Sequence, residues 1–251
     1  MGGKVTLLLQ DADCRVTICP GIGGSIARFT WRGRPILRDA ADTALDERAV
    51  RQMGCYPLVP YSNRIGNGRL VIGDVTHQLR ANTPAEAHAL HGFGWQREWQ
   101  VSAHTANAAE LLLHHAPDAD WPFACAARQH FRLQDDMLAV RLAVSNTGVA
   151  PMPAGLGFHP YFPVEPDTRL QTDWTGMWAM GADSLPTECV APPPAADFSR
   201  SRVIDGWRID NCFTGWSRRA LLDYPTHRVH LSAGAACGQV VCFLPGDGRR
   251  F

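Results

Sequence analysis

Four short clusters in this 251-residue chain carry side chains suited to moving protons and holding hydroxyl groups. The densest is Gly155-Leu156-Gly157-Phe158-His159-Pro160-Tyr161-Phe162-Pro163. Its histidine stands among aromatics and prolines after a Gly-x-Gly. Proline at 160 disfavours helical geometry for the residue before it. His159 is therefore expected on an extended backbone, with an imidazole that titrates near neutral pH and can transfer protons. A core histidine in a proline-rich turn is the alternative reading of this stretch.

The second cluster is Pro60-Tyr61-Ser62-Asn63-Arg64-Ile65, where an arginine beside an asparagine offers several hydrogen bonds to neighbouring hydroxyls. A structural arginine satisfying loop carbonyls would look the same. The third is His88-Ala89-Leu90-His91-Gly92-Phe93-Gly94-Trp95. Aromatic rings such as Trp95 can stack on the apolar face of a sugar and leave its hydroxyls free. His88 and His91 have H-x-x-H spacing, but the glutamate and third ligand of a zinc site such as H-E-x-x-H are absent, so no metal is expected. The fourth is Ile209-Asp210-Asn211-Cys212-Phe213-Thr214-Gly215-Trp216, where Asp210 could accept bonds from two hydroxyls or cap a loop as an Asx turn.

The elements that must position these clusters read as strands. Gly 23 and Pro 18 punctuate the chain, and the intervening runs are short, with period two or continuous apolar character. Strands are expected over 5–9, 15–18 and 25–31, with a turn at 20–24. One short helix is expected over 43–53, capped by Asp42. Asn67-Gly68 predicts a hairpin joining 64–66 to 69–72, and Gly73-Asp74 a second joining 70–72 to 75–79. Strands at 99–104 and 110–114 follow. The clearest pair is 124–133 with 137–145, with Arg128, His130 and Arg132 on a polar face and Phe131 and Leu133 on a buried one. Later strands are expected at 169–172, 219–222, 228–232 and 238–244, and a proline-rich loop at 191–195. No internal repeat or shift in composition marks a second domain. The expected architecture is one antiparallel β-sandwich of about fifteen strands or more.

Composition excludes several classes of function. Lys+Arg and Asp+Glu are balanced at 24 each, so a nucleic-acid partner is not expected. No apolar run approaches the roughly 18 residues of a membrane span. Met1-Gly2 with Thr6 matches a myristoylation pattern, but the same segment reads as the first strand. The eight cysteines include no C-x-x-C and are read as reduced core residues of a cytoplasmic protein.

Taken together and in this order, the clusters resemble the aldose 1-epimerase (mutarotase) family. Asn63-Arg64-Ile65 is similar to its Asn-Arg-Ile motif, His91-Gly92 to its His-Gly motif, and Gly157-Phe158-His159-Pro160-Tyr161-Phe162 to its catalytic-histidine motif. Asp210-Asn211-Cys212-Phe213 is similar to its substrate-binding aspartate segment. The resemblance covers nearly the whole chain and implies an all-β fold, a large antiparallel β-sandwich of the galactose mutarotase-like type (a supersandwich), in one domain over 1–251. It implies that Asn63, Arg64, His91 and Asp210 hold the hydroxyls of a free aldohexose and that His159 is the general acid. Trp95, Phe158 and Trp216 are candidates for stacking on the sugar. Opening and reclosing a hemiacetal transfers no electron or group, so no cofactor is expected; oligomeric state is left open. The sequence departs from the family at one point. The family's general base is a glutamate near the C-terminus, and after Gly238–Leu244 and Pro245-Gly246-Asp247-Gly248-Arg249-Arg250-Phe251 none is found. The expectation is a chain cut short before its base. The alternatives are a carbohydrate-binding module, a different base among Glu165, Glu188 and Asp247, and a hexose-phosphate mutarotase using Arg97, Arg128 and Arg132.

Overall fold

The computed structural model describes residues 6–84 and 86–246. They form two compact units, one running through Phe162 and the other starting at Pro163.

The first unit is built on two antiparallel sheets. One has the order Leu7–Asp11, Cys14–Cys19, Ser25–Trp31, Cys55–Leu58, Gly157–Pro160, with Arg34–Pro35 paired to the side of Ser25–Trp31. The other runs Gln100–His104, Ala108–His115, Cys125–Gln134, Met137–Asn146. Alternation decides which faces meet. Leu9, Val16, Ile18 and Ile26 of the first sheet share one core with Leu111, Phe131 and Leu133 of the second, as period-two side-chain direction requires. Gln129 is the polar exception on that buried face, and its side chain donates to the Gly24 carbonyl (3.0 Å), which satisfies a group that would otherwise be costly to bury.

The second unit also has two four-stranded antiparallel sheets. Their orders are Arg202–Val203, Arg169–Thr172, Arg219–Asp223, Arg228–Ser232 and Pro186–Val190, Gly176–Met180, Arg208–Thr214, Gln239–Pro245. Trp174 stacks on Phe213 (ring centroids 3.8 Å) and meets Phe198 edge-on. The indole N–H of Trp216 donates to Thr172 Oγ1 (2.9 Å).

Several expected elements come out differently. The Asn67-Gly68 turn has both residues at positive φ, as the dipeptide demands, but its flanks do not pair with each other. Arg64–Ile65 pairs instead with Ala89–Leu90. The turn is claimed by other segments: the Asn67 N–H donates to His88 Nδ1 (2.9 Å), and the Leu79 N–H to the Gly68 carbonyl (2.8 Å). The hairpin around Gly73-Asp74 forms as expected, joining Arg69–Ile72 to Val75–Gln78. The helix is Asp42–Asp46 followed by a 3-10 turn at Val50–Gln52, and Asp42 does not cap it; its carboxylate is bonded to Arg28 (2.6 Å). Cys14, Cys19, Cys55 and Cys125 are buried, whereas Cys189 and Cys237 are exposed. Asp247 and the segment bearing the myristoylation pattern, apart from Thr6, lie outside the described residues.

Candidate functional site

Two motifs distant in sequence are joined by backbone. Arg64 pairs with Leu90 and Ile65 with Ala89. Beyond that ladder the chain turns at two positive-φ residues, Asn63 (63°) and His91 (61°). These two are locked reciprocally: the His91 N–H donates to the Asn63 carbonyl (2.8 Å), and the Asn63 N–H donates to His91 Nδ1 (3.0 Å). An Nδ1 that accepts carries no proton, so the neutral ring has its hydrogen on Nε2, which is a donor. Gly92 is required here. Its φ is +68°, and a Cβ would lie 2.2 Å from the Val59 carbonyl oxygen, so any larger residue would push His91 out of place.

His159 sits in Gly157–Pro160, opposite Tyr56 of Cys55–Leu58, on the extended backbone its proline predicts. Tyr161, two residues on, stacks against it with ring centroids 4.5 Å apart and planes 15° apart. Tyr56 lies 5.0 Å from the imidazole, and its hydroxyl meets that of Tyr161 at 3.1 Å. His91 presents an edge to His159, centroids 5.6 Å apart at 88°. Arg38 lies over the Tyr161 ring at 3.8 Å. Its guanidinium donates to the carbonyls of Met53 and Arg51, and its backbone N–H to the Tyr161 carbonyl. Guanidinium and imidazole both pack on the Tyr161 ring, and with Tyr56 they leave His159 little rotational freedom.

Both imidazoles are held neutral at pH 7. Burial lowers the pKa of His159 to about 4, and the Arg38 and Arg51 charges act in the same direction. Burial lowers His91 to about 3, helped by His159, Arg64 and Arg51, with Glu86 opposing. Desolvation disfavours the charged form of a base, and a neighbouring cation does the same.

Arg64 makes a two-pronged pair with Glu86, Nη2 to Oε1 at 2.7 Å and Nε to Oε2 at 3.2 Å. The pair is about one-fifth exposed. It aims the guanidinium and holds the Glu86 carboxyl below its usual range through the hydrogen bond from Arg64. Glu86→Gln is expected to lower stability by about 1 kcal/mol and to raise the KM for sugar several-fold by freeing Arg64. A urea midpoint and a KM identical to those of the wild type would show that Glu86 does not aim Arg64.

The structure thus brings His159, His91, Asn63 and Arg64 together in the first unit. Trp95 is there too but buried, packed on Tyr56 (5.8 Å), with its N–H donated to the Gly92 carbonyl (3.0 Å). Phe158 is half-buried against the core. Asp210 and Trp216 belong to the second unit; Asp210 is an exposed mid-strand residue opposite Phe243, rather than a loop cap, and Trp216 is buried. Glu165 and Glu188 are exposed side chains of that unit. His88 is buried, with Nδ1 accepting from Asn67, and among the described residues no cluster of three metal-ligating side chains occurs. Arg97 pairs with Asp118 and Asp120, Arg128 with Glu110, and Arg132 bonds to Gln134. Sequence reasoning missed Arg38, Arg51, Tyr56 and Glu86, which belong to none of the quoted clusters. Tyr161 was findable from its spacing of two from His159 on an extended chain.

The family model described as aldose 1-epimerase matches residues 5–248, across both units. The chain belongs to the aldose 1-epimerase family. It is 35% identical over 205 residues to the uncharacterized protein YphB of Escherichia coli (strain K12), covering 81% of this chain and 68% of that one. It is 30% identical over 157 residues to the uncharacterized protein YihR of the same organism, covering 62% and 49%. Among solved structures it superposes on an Escherichia coli K12 protein provisionally described as an aldose 1-epimerase, with TM-score 0.88, 28% identity, and coverage of 96% of this chain and 81% of that one. A galactose mutarotase-like protein of Clostridium acetobutylicum superposes with TM-score 0.86 at 19% identity, covering 97% and 82%. The fold is all-β and of the galactose mutarotase-like type. No helix among the described residues is long and apolar enough to cross a membrane.

Proposed function

We propose that this protein is a mutarotase that interconverts the α and β anomers of an aldohexose. The observation that carries the reading is the pair of imidazoles, His159 and His91, set edge to face at 5.6 Å in a site lined by sugar-compatible donors. The reaction moves one proton. A base takes it from the C1 hydroxyl, the bond from C1 to the ring oxygen breaks, and an acid protonates that oxygen. Rotation about C1–C2 and the reverse steps give the other anomer. His159 is the acid in this reading: neutral in the resting site, it is protonated when the sugar is bound and passes that proton to the ring oxygen as the bond breaks. Its Tyr161 and Tyr56 neighbours fix the ring while a proton passes. His91 donates from Nε2 to a sugar hydroxyl. Arg64, steadied by Glu86, and Asn63 bind further hydroxyls. Phe158 supplies an apolar wall of the site. The chemistry needs no cofactor. The two units serve as one functional domain in a cytoplasmic enzyme. No residue is assigned as the base.

The test is polarimetry on freshly dissolved α-D-galactose and α-D-glucose. A decay of rotation well above the spontaneous rate is the expected result. A second reading, a carbohydrate-binding module of the same fold, keeps the sugar-holding residues Asn63, Arg64 and His91 without the reaction. Galactose binding by calorimetry with no change in the decay would replace the first reading with the second.

A further inference from the structure

Three arginines and one glutamate act on the two imidazoles: Arg38, Arg51 and Arg64 against Glu86. With both rings neutral at pH 7, these four side chains carry a net charge of +2. That is unusual company for a sugar with no charge, because the hydroxyls of a neutral hexose need donors and acceptors but no net field. Two of the three guanidinium groups are already engaged. Arg64 is forked onto Glu86. Arg38 is half-buried over the Tyr161 ring and bonded to the Met53 and Arg51 carbonyls.

Arg51 differs. Its side chain is exposed and lies over the Trp95 ring, 5.4 Å from the centroid. Its backbone carbonyl is held by Arg38. Among the described residues no carboxylate pairs with its guanidinium, in contrast to Arg28, Arg32, Arg48, Arg64, Arg80, Arg97, Arg128 and Arg228. Trp95 is itself fixed by the bond from its N–H to Gly92, the residue after His91. The floor under Arg51 is therefore rigidly tied to the site. A guanidinium held over an aromatic ring keeps its N–H donors, and those donors form a fork that matches the oxygens of a phosphate or carboxylate.

We propose that Arg51 is the anion-binding residue of this site, and that the substrate is an aldose bearing an anionic group, a phosphate ester or a carboxylate, in preference to the free hexose. The inference rests on the mutarotase reading of the site and narrows its substrate class. The arginines that sequence reasoning offered for this role, Arg97, Arg128 and Arg132, are bonded to Asp118 and Asp120, Glu110 and Gln134, which leaves the role to a residue no motif marked.

Anomer exchange of glucose, glucose 6-phosphate and glucuronate, followed by NMR exchange spectroscopy at low and high salt, tests it. At low salt the kcat/KM for at least one anionic sugar is expected to exceed that for glucose tenfold or more, and the ratio to shrink with salt. Preference for glucose 6-phosphate alone assigns a phosphate ester, and preference for glucuronate alone a carboxylate. Arg51→Gln is expected to cut the anionic-to-neutral ratio at least tenfold, and Arg51→Lys to retain most of it. A wild-type ratio of one or below, or a ratio that Arg51→Gln leaves unchanged, overturns the proposal. If no sugar is turned over, calorimetric Kd values for the same three sugars read the same ratio. Anion preference lost in Arg51→Gln would then keep this inference and remove the mutarotase reading. Equal affinities, or no binding of any of the three, would overturn the inference.

Discussion

Replacing His159 with asparagine is expected to lower kcat/KM for anomer exchange by ~10²–10⁴, the usual contribution of a positioned acid or base, with little loss of fold at pH 7. The size follows from the reaction. Ring opening leaves charge on an alkoxide oxygen unless a proton arrives as the bond breaks, and His159 is the group proposed to deliver it. Asparagine keeps a polar side chain of similar reach but has no proton to give. The fold should tolerate the change because the strand Gly157–Pro160 is fixed by its backbone ladder to Cys55–Leu58, not by the imidazole. The stacking lost on Tyr161 is worth about 1 kcal/mol. Turnover equal to wild type would remove His159 from the mechanism. A fall of similar size in His91→Asn with normal KM would exchange the two roles, since His91 is proposed to bind and not to transfer.

How much of this was legible depends on whether the signal was local. The strand Cys125–Gln134 alternates buried and exposed residues along its whole length, so its period and the polar face with Arg128, His130 and Arg132 could be read directly. Gly176–Met180 and Pro186–Val190 were missed. The first is apolar without alternation and the second nearly all exposed, so neither carries a period of two. Asp210 was read with an Asx turn as its alternative, yet pairing with Gln239–Pro245 makes it mid-strand. Asn67-Gly68 was right about φ and wrong about pairing. Backbone conformation is set by the dipeptide itself, but pairing is settled by whichever partner offers more hydrogen bonds, and here His88 and Leu79 do.

The same division runs through the site. His159, His91, Asn63 and Arg64 lie in short motifs whose spacing carries meaning, and the structure gathers them. Arg38 and Arg51 reach His159 from more than a hundred residues away, on a connection between strands with no motif. Arg38 gets there because the ladder that sets Tyr56 against His159 also brings Gly54 to Tyr161, whose N–H donates to the Gly54 carbonyl (2.9 Å). Long-range register of that kind is invisible to periodicity. Glu86 is hidden for a different reason. It lies only two residues before His88, yet an isolated acidic residue looks like solvated surface until the ladder between 64–65 and 89–90 turns it towards Arg64.

Acid should destabilise this protein through its two site imidazoles before its carboxylates are protonated. The folded-state pKa values of about 4 for His159 and about 3 for His91 lie below the ordinary value of 6.5. The unfolded chain therefore binds more protons than the folded one as pH falls from 6.5. Stability has slope 2.303RT(ν_U − ν_N) with pH, which is positive in that window. The contribution is fully present above pH 6.5 and is lost as pH falls towards 4 for His159 and towards 3 for His91. At 1.36 kcal/mol per tenfold change in proton affinity, His159 alone should withdraw about 2 kcal/mol between pH 7 and 4.5. That is a large fraction of the 5–15 kcal/mol typical of a domain. Glu86 and the other carboxylates with lowered pKa act in the same direction, so the informative quantity is a difference between proteins. Urea midpoints of the wild type and of a His91→Asn/His159→Asn double variant, measured from pH 7 to 4.5, should converge as pH falls. The variant is expected to be the less stable at pH 7 and to lose less on acidification. Parallel curves would mean that the two rings are solvated and ordinary.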